Sequence, residues 1–231
     1  MCNQSCIKFG QANLTVENIK NKAVLEVGSV NINGSLRSIV EALEPSLYIG
    51  VDIHMAPGVD VICDADNLVN HFGQEKFDVL ISTEMLEHVS NWQEVVSNFK
   101  QVLKPNGILL ITSRSIGFPY HGAPYDFWRY QLSDFKTIFS DFKIEVLQKD
   151  NEEPGVFLKA IKPINFKEKN LDDYLLYSII KHKKINSNTD LEVTKWDQGF
   201  NNLDLAVRKL VSKILPLSIR QFIKKRILKI I

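Results

Sequence analysis

Short apolar runs alternate with amphipathic segments from Ala23 to Ile161. Runs rich in Val, Ile and Leu that end at Gly or at a polar residue are typical of buried strands. We predict strands at Ala23–Val27, Leu47–Asp52, Val59–Cys63, Phe77–Ser82, Ile108–Thr112, Ile144–Leu147 and Val156–Ile161. Apolar residues at helical spacing predict helices at Ser35–Leu43, Trp92–Leu103 and Leu132–Phe139, and Lys104–Gly107 predicts a turn. This alternation indicates an α/β fold with a mostly parallel sheet, in which the last two strands form an antiparallel pair.

The pattern changes after Pro163, where the chain becomes polar and mixed, with one further helix predicted at Leu171–Ile180. From Arg208 to Ile231 there are eight Lys or Arg residues and no acid, interleaved with apolar residues. We therefore predict one domain over residues 1–163 and a helical, basic C-terminal extension over residues 164–231. A basic amphipathic helix binds an anionic membrane surface or packs on a protein partner, and both alternatives stay open here.

Composition narrows the class of protein. The chain has 231 residues, a formal net charge of +1 and 45% hydrophobic residues, as in ordinary globular proteins. This balance does not favour a nucleic-acid partner. Three cysteines do not make a disulfide framework, and we expect Cys2 and Cys6 to be a reduced, mobile N-terminal pair. The sequence has no visible secretory signal and no apolar run that could span a bilayer, so we expect a cytoplasmic location. We also consider peripheral contact with the inner membrane face.

Acidic residues follow three successive predicted strands. Glu26 and Gly28 end the first strand, Asp52 ends the second, and Asp64 follows the third. Ligands of open α/β sheets bind beyond the carboxyl ends of the strands, where an acid binds ribose hydroxyls and a glycine lets a ligand approach the backbone. The series therefore predicts a nucleotide-like ligand.

These strand ends, with Phe77–Leu80 and Leu103–Gly107, resemble the class I S-adenosylmethionine (SAM) dependent methyltransferases, of the type 11-like kind, over about residues 20–162. The resemblance implies a Rossmann-like sheet of seven strands, mostly parallel, with the last strand antiparallel. It also implies that Glu26 and Gly28 lie near the methionine part of SAM, Asp52 near the ribose, and Asp64 with the Ala65 backbone near the adenine. Ser29, Ile53 and Ser82 complete the predicted cofactor-binding set.

The glycine pattern departs from that family. The usual Gly-x-Gly-x-Gly is replaced by Gly28-Ser29-Val30-Asn31-Ile32, and the next glycine is Gly34. Either the loop follows a different path or SAM binds weakly. A dinucleotide-dependent dehydrogenase is disfavoured, because Gly-x-Gly-x-x-Gly is absent.

Glu84-Met85-Leu86-Glu87-His88 follows the fourth strand directly. Glu84, Glu87 and His88 lie within one helical turn of each other, a spacing that suits a divalent cation. Further along, residues 117–130 are rich in Gly, Pro and aromatic residues and carry His121, a possible fourth ligand. In that stretch Asp126 and Arg129 are expected to form a structural ion pair.

This combination resembles metal-dependent small-RNA 2′-O-methyltransferases and ubiquinone-biosynthesis O-methyltransferases. The stretch His-Gly-x-Pro-x-Asp-Phe-Trp-Arg also resembles bacterial methyltransferases of glycan biosynthesis. The resemblance implies Glu84, Glu87, His88 and His121 as metal ligands, a set that favours Mn²⁺, Fe²⁺, Co²⁺ or Zn²⁺ over Mg²⁺. In the metal-free alternative, His88 orients the substrate.

The predicted function is SAM-dependent O-methylation of a hydroxyl on a sugar or glycan intermediate, either a small molecule or lipid-linked. His88, Glu84 and Glu87 are the predicted catalytic residues. Two alternatives stay open: an RNA 2′-O-methyltransferase, and a non-catalytic scaffold subunit with the methyltransferase fold.

Overall fold

A computed structural model describes residues 3–122 and 125–187. These residues lie in one compact unit, Met1–Asn188. The predicted basic helix at residues 208–231 and Cys2 lie outside the described residues. Within the described residues, no helix is both long enough and apolar enough to cross a membrane.

The helices and strands alternate as the apolar pattern predicts, although their bounds differ by a few residues. The strands are β1 (Ala23–Val27), β2 (Leu47–Asp52), β3 (Val61–Ile62), β4 (Phe77–Thr83), β5 (Leu103–Arg114), β6 (Trp128–Arg129), β7 (Lys143–Lys149), β8 (Gly155–Ile161), β9 (Leu176–Ser178) and β10 (Lys183–Ile185). The helices are α1 (Gln4–Asn13), α2 (Val16–Ile19), α3 (Arg37–Glu41), α4 (Leu68–Phe72), α5 (Trp92–Val102) and α6 (Leu132–Ile138), with 3₁₀ turns at Ala65–Asn67 and Leu86–His88.

Seven strands form one sheet in the order β3-β2-β1-β4-β5-β8-β7. Strands β1 to β5 are parallel, and β8 is antiparallel to both of its neighbours. The strand order reverses between β1 and β4, so their carboxyl ends open a crevice at the switch point. The fold prediction, including the antiparallel last strand of this sheet, is confirmed.

The N-terminal residues differ from the expectation of a mobile segment. Asn3 caps α1, since its side chain accepts the N–H of Cys6. Cys6 and Phe9 of α1 are buried in one apolar cluster with Val24, Leu36 and Val79. Burial of Cys6 shows that the mobile placement expected for it was wrong, because α1 covers apolar side chains of the sheet.

Two further local predictions are corrected. The predicted helix over Leu171–Ile180 is instead a turn followed by β9, because β9 finds a partner in β6, with Trp128 opposite Ser178. Strands β9 and β10, in the part predicted as a helical extension, form a small antiparallel sheet with β6 of the preceding domain. The predicted turn at Lys104–Gly107 lies inside β5 as an irregularity in its pairing with β4, with Asn106 at φ 62°.

Candidate active site

A cavity of about 370 Å³ opens at the carboxyl ends of the parallel strands. Its walls come from the residues after β1, β2, β3 and β4, so the switch point of the sheet is also the position of the cavity. The residues that line it are Val27, Gly28, Val30, Ile32, Asp52, Ile53, His54, Ala56, Cys63, Asp64, Ala65, Glu84, Met85, His88 and Val89. Apolar side chains dominate, and the acids at the strand ends supply the polar contacts.

The turn at Gly28 shapes one wall of the cavity. Gly28 has φ +78°, and a Cβ on it would lie 2.6 Å from Cγ of Met85. The Val51 carbonyl accepts the N–H groups of Gly28 (3.0 Å) and Ser29 (3.1 Å), and the Pro57 carbonyl accepts that of Asn31 (2.9 Å). Hydrogen bonds to β2 and to the loop after it therefore hold the loop after Gly28 in place. The loop forms in this way without further glycines at the usual spacing.

The acids after β2 and β3 face this cavity from two sides. Asp52 Oδ1 accepts the N–H of Ile53 at 2.8 Å, which fixes the carboxylate at the cavity wall. Asp64 caps the 3₁₀ turn Ala65–Asn67 by accepting the N–H of Asp66. The structure thus brings together Gly28, Asp52, Ile53, Asp64 and Ala65 of the predicted cofactor-binding set.

Three members of that set lie behind the cavity wall and do not line it. Glu26 is 2% exposed and accepts a hydrogen bond from the Tyr48 hydroxyl. Burial raises the pKa of Glu26 to about 7, although the Tyr48 hydrogen bond acts in the opposite sense. Ser29 and Ser82 are buried, and their hydroxyl oxygens have no hydrogen-bond partner within the described residues.

Beyond the cavity lies a cluster of three side chains that the fold brings together, Glu87, His88 and His121. Glu87 Oε1 is 3.7 Å from Nε2 of His121 and 4.0 Å from Nε2 of His88. One ligand atom from each residue lies within 4.8 Å of the other two. His88 also lines the cavity, so the cluster and the cavity share a wall.

Hydrogen bonds on the far sides of these groups set their orientation. Ser113 Oγ donates to Glu87 Oε2 at 2.8 Å. His88 Nδ1 lies 2.5 Å from the Tyr125 carbonyl, and His121 Nδ1 lies 2.8 Å from Asp126 Oδ2. Because a carbonyl and a carboxylate only accept, both Nδ1 atoms carry the proton. Each Nε2 therefore faces Glu87 Oε1, and it carries a lone pair when its ring is neutral.

In the part of the chain that the structure describes, two buried polar atoms of this cluster lack hydrogen-bond partners, which is unusual for buried groups. Glu87 Oε1 and His88 Nε2 are buried and have no hydrogen-bond partner within the described residues. An unpaired buried polar atom costs free energy, so such atoms point to a ligand. Two imidazole nitrogens and one carboxylate oxygen fit a divalent transition-metal ion, and they equally fit a hydroxyl group.

The charges of the cluster follow from its burial and its pairing. Burial acts to raise the pKa of Glu87, but the attraction of the nearby His121 and His88 rings outweighs it, and the pKa is lowered. Burial lowers the pKa of His88. For His121 burial also acts to lower the pKa, but Asp126 and Glu87 raise it to about 9. At neutral pH the cluster thus holds an ionised Glu87, a neutral His88 and a protonated His121, whose Nε2 proton a metal ion would have to displace.

Glu84 lies apart from the cluster, in contrast to the predicted set of four metal ligands. Its carboxylate forms an ion pair with Nε of Arg114, and it lines the cavity beside Met85. Burial, together with the charge of Glu87, raises the pKa of Glu84 well above its usual range, and Arg114 acts in the opposite sense. The geometry groups three of the four predicted ligands and leaves Glu84 to Arg114.

Sequence reasoning missed the residues that hold the cluster in place. It assigned Asp126 and Arg129 to a structural ion pair, which the structure contains, but Asp126 also binds His121. The Tyr125 carbonyl and Ser113 were not anticipated. A carboxylate five residues after a candidate histidine was the available signal for Asp126, whereas a backbone carbonyl leaves no signal in a sequence.

Comparisons with known proteins show the family to which this fold belongs. A family described as a methyltransferase domain matches residues 6–155. The phthiotriol/phenolphthiotriol dimycocerosates methyltransferase 1 of Mycobacterium ulcerans (strain Agy99) is 30% identical over 122 residues, which cover 48% of this chain and 44% of that protein. The ubiquinone biosynthesis O-methyltransferase of Histophilus somni (strain 2336) is 30% identical over 112 residues, which cover 41% of this chain and 46% of that protein. The chain thus matches less than half the length of these relatives.

The fold also occurs in solved structures. The 1,6-didemethyltoxoflavin-N1-methyltransferase of Burkholderia thailandensis superposes with a TM-score of 0.54 at 14% identity, over 68% of this chain and 78% of that chain. That structure contains S-adenosylhomocysteine and 1,6-didemethyltoxoflavin. At this identity the likeness concerns the fold alone.

Proposed function

The chain belongs to the class I SAM-dependent methyltransferase family, and we propose that it transfers a methyl group from SAM to a hydroxyl oxygen. One observation carries the proposal. The cavity at the switch point shares His88 with a polar cluster whose Glu87 Oε1 and His88 Nε2 lack partners within the described residues. A methyl donor and a polar acceptor would then meet at a common wall.

The cavity fits the donor by its shape and its polar groups. Gly28 lines the cavity without a side chain, so the methionine part of SAM can pass close to its backbone. Asp52 would hold the ribose hydroxyls, and Asp64 with Ala65 would meet the adenine. When bound, SAM supplies an electrophilic methyl group, whose S–C bond breaks as the O–C bond forms while the electron pair stays on the sulfur of S-adenosylhomocysteine.

The cluster supplies what the acceptor requires. A neutral alcohol is a weak nucleophile at neutral pH, so its proton must be removed as the bond forms. Glu87 Oε1 and the two Nε2 atoms converge within 4.8 Å, which suits a hydroxyl held between them. Glu87 Oε1 and Nε2 of the neutral His88 can accept the hydroxyl proton, because Ser113 and the Tyr125 carbonyl already occupy the opposite sides of these two groups.

The same three atoms fit a divalent cation, which we include in the proposal. Glu87, His88 and His121 would be its protein ligands, and this set favours Mn²⁺, Fe²⁺, Co²⁺ or Zn²⁺ over Mg²⁺. When bound, the cation would lower the pKa of a coordinated hydroxyl and help to hold it in place.

For the acceptor we propose a sugar or glycan intermediate. The support is the resemblance of residues 121–129 to methyltransferases of glycan biosynthesis, together with the O-methyltransferase activity in the name of one relative. The basic stretch Arg208–Ile231, with eight Lys or Arg and no acid, favours a cytoplasmic protein that meets a lipid-linked acceptor at the inner membrane face. Sedimentation with anionic but not with neutral vesicles, lost on truncation after residue 207, tests this part of the proposal.

Calorimetry tests whether the chain is a SAM-dependent enzyme. S-adenosylhomocysteine and SAM are expected to bind with a measurable heat, and a screen of sugar nucleotides and glycans should release S-adenosylhomocysteine. A chain that binds neither compound would instead be a scaffold with a methyltransferase fold. Chelation by EDTA separates the metal-dependent form of the proposal from the metal-free form. If EDTA leaves turnover unaffected, and added Mn²⁺ or Zn²⁺ does not change it, the cation has no part in the reaction.

A further inference from the structure

We infer that Asp126 is the positioning residue of the cluster: it fixes the ring of His121 so that Nε2 of His121 faces the ligand of Glu87 and His88. This inference rests on the proposed function, because it concerns the same site. It assigns to Asp126 a role beyond the ion pair with Arg129. It also makes the segment that contains Tyr125 and Asp126 the support of both imidazoles.

Asp126 collects four donors on one buried carboxylate. Its side chain is 0% exposed. Oδ2 accepts the backbone N–H of His121 at 2.9 Å and the ring Nδ1–H of His121 at 2.8 Å. Arg129 donates to Oδ1 at 2.5 Å and to Oδ2 at 2.6 Å. The two bonds to His121 fix both the backbone and the ring of this residue, so the ring has little freedom to rotate.

Arg129 keeps this carboxylate in place. Its guanidinium is buried and also donates to the carbonyls of Phe118 (3.1 Å), Pro119 (2.7 Å) and Trp128 (2.8 Å). These bonds join β6 to the loop that precedes His121. The position of Asp126 is therefore set by Arg129 of β6, and the loop that carries His121 is bound to the same guanidinium.

The neighbouring residue does the same for the second imidazole. The Tyr125 carbonyl accepts from Nδ1 of His88 at 2.5 Å. Two consecutive residues thus fix the tautomers of both rings, and both Nε2 atoms lie within 4.0 Å of Glu87 Oε1. Metal-binding histidines commonly donate their other N–H to a carboxylate or a carbonyl, which fixes the ring and raises its basicity.

A purely structural role would not require this arrangement. Arg129 already binds both carboxylate oxygens of Asp126, so the ion pair is complete without the ring of His121. The added bond to Nδ1 leaves the Nε2 atom of His121 directed at Glu87. The placement is explained if the ring must present that nitrogen to a ligand.

The test measures Zn²⁺ binding by calorimetry in the full chain and in three variants. Asp126→Asn should weaken Zn²⁺ about 10- to 100-fold, as other supporting residues of metal sites do. Glu87→Gln, which removes a direct ligand, should weaken it more. Asp134→Asn is the matched control, because Asp134 is equally buried and accepts from Tyr174 (2.8 Å) and the Gln131 N–H (2.7 Å), away from the cluster. It should lower the melting temperature and leave Zn²⁺ affinity unchanged.

An unchanged Zn²⁺ affinity in Asp126→Asn, with Glu87→Gln impaired, would overturn the inference and leave the proposed site intact. A wild type that does not bind Zn²⁺ would overturn the inference and leave only the metal-free form of the proposed function. A second measurement needs no variant: long-range ¹H–¹⁵N spectra of the wild type, with and without Zn²⁺, should show the proton on Nδ1 of both His88 and His121. A His121 ring with its only proton on Nε2 contradicts the inference even if Asp126→Asn fails to fold.

Discussion

Arg114 holds Glu84 in a buried ion pair at the end of β4, and this pair separates Glu84 from Glu87 although only two residues lie between them. Glu84 has φ +53°, a conformation that non-glycine residues rarely adopt. Arg114 also binds Glu153 at 2.9 Å, and its guanidinium lies 3.8 Å above the ring of Phe118. The Glu-x-x-Glu-His motif therefore divides its two carboxylates between different partners.

This division predicts opposite effects for the two glutamates. Glu87→Gln should weaken binding of Mn²⁺ or Zn²⁺ by more than about 100-fold, because it removes a charged ligand. Glu84→Gln should leave that affinity within about threefold and instead lower the free energy of unfolding by about 1–3 kcal/mol, because the two carboxyl oxygens accept from Arg114 and Cys6 whereas an amide has only one acceptor oxygen. Calorimetry and urea unfolding measure the two effects. Loss of metal affinity in Glu84→Gln would return Glu84 to the ligand set.

Substitution of Gly28 should impair the cofactor cavity. Gly28→Ala places a Cβ 2.6 Å from Met85 Cγ at φ +78°, so we expect a loss of stability of about 1–2 kcal/mol and at least about tenfold weaker S-adenosylhomocysteine. Gly73→Ala is the matched control. Gly73 has φ +88°, but its Cβ would meet only the flexible Lys76 side chain, 2.9 Å from Cε and remote from the cavity. Gly73→Ala should lower the stability by a similar amount and leave the affinity for S-adenosylhomocysteine unchanged. Equal affinities in the Gly28→Ala and Gly73→Ala variants would contradict the assigned cavity.

Asp52 should bind the ribose through its carboxylate. Hydrogen bonds to a charged group contribute roughly 1.5–3 kcal/mol, so Asp52→Ala should weaken S-adenosylhomocysteine by roughly 10- to 100-fold. Asp173→Ala changes the net charge equally at an exposed position that does not line the cavity and should have no effect. Titration calorimetry at fixed salt compares them. An Asp52 variant with wild-type affinity would place the ribose elsewhere.

Glu26 should make stability depend on pH. Its pKa is raised from 4.5 to about 7, chiefly by burial, so the folded state binds a proton that the unfolded state releases between these values. Its contribution to stability is complete below pH 4.5 and is lost as the pH rises through 7, a change of about 3 kcal/mol.

Glu26→Gln tests this dependence, because the amide oxygen can still accept from Tyr48 but does not titrate. Urea unfolding from pH 4 to pH 8 should show the wild type losing stability relative to the variant across this range. Parallel curves would mean that Glu26 titrates alike in the folded and unfolded chains.

The sequence by itself determined the sheet and the position of the site. Apolar runs such as Phe77–Ser82 can be buried only as strands of a covered sheet, and the acids that follow them must then collect at one edge. It also placed Glu87 and His88 together, because neighbours in a short turn stay close whatever surrounds them. These features are local, so a local pattern is enough to predict them.

Only the tertiary structure decided the partners of the buried groups. Arg114 binds Glu84, Tyr48 donates to the buried Glu26, and pairing with β6 makes a strand of residues that otherwise have helical spacing. His121 joins Glu87 because Asp126 turns its ring. In each case the deciding contact comes from another strand or loop, and a buried charge or an unpaired strand takes the partner that the fold brings near it.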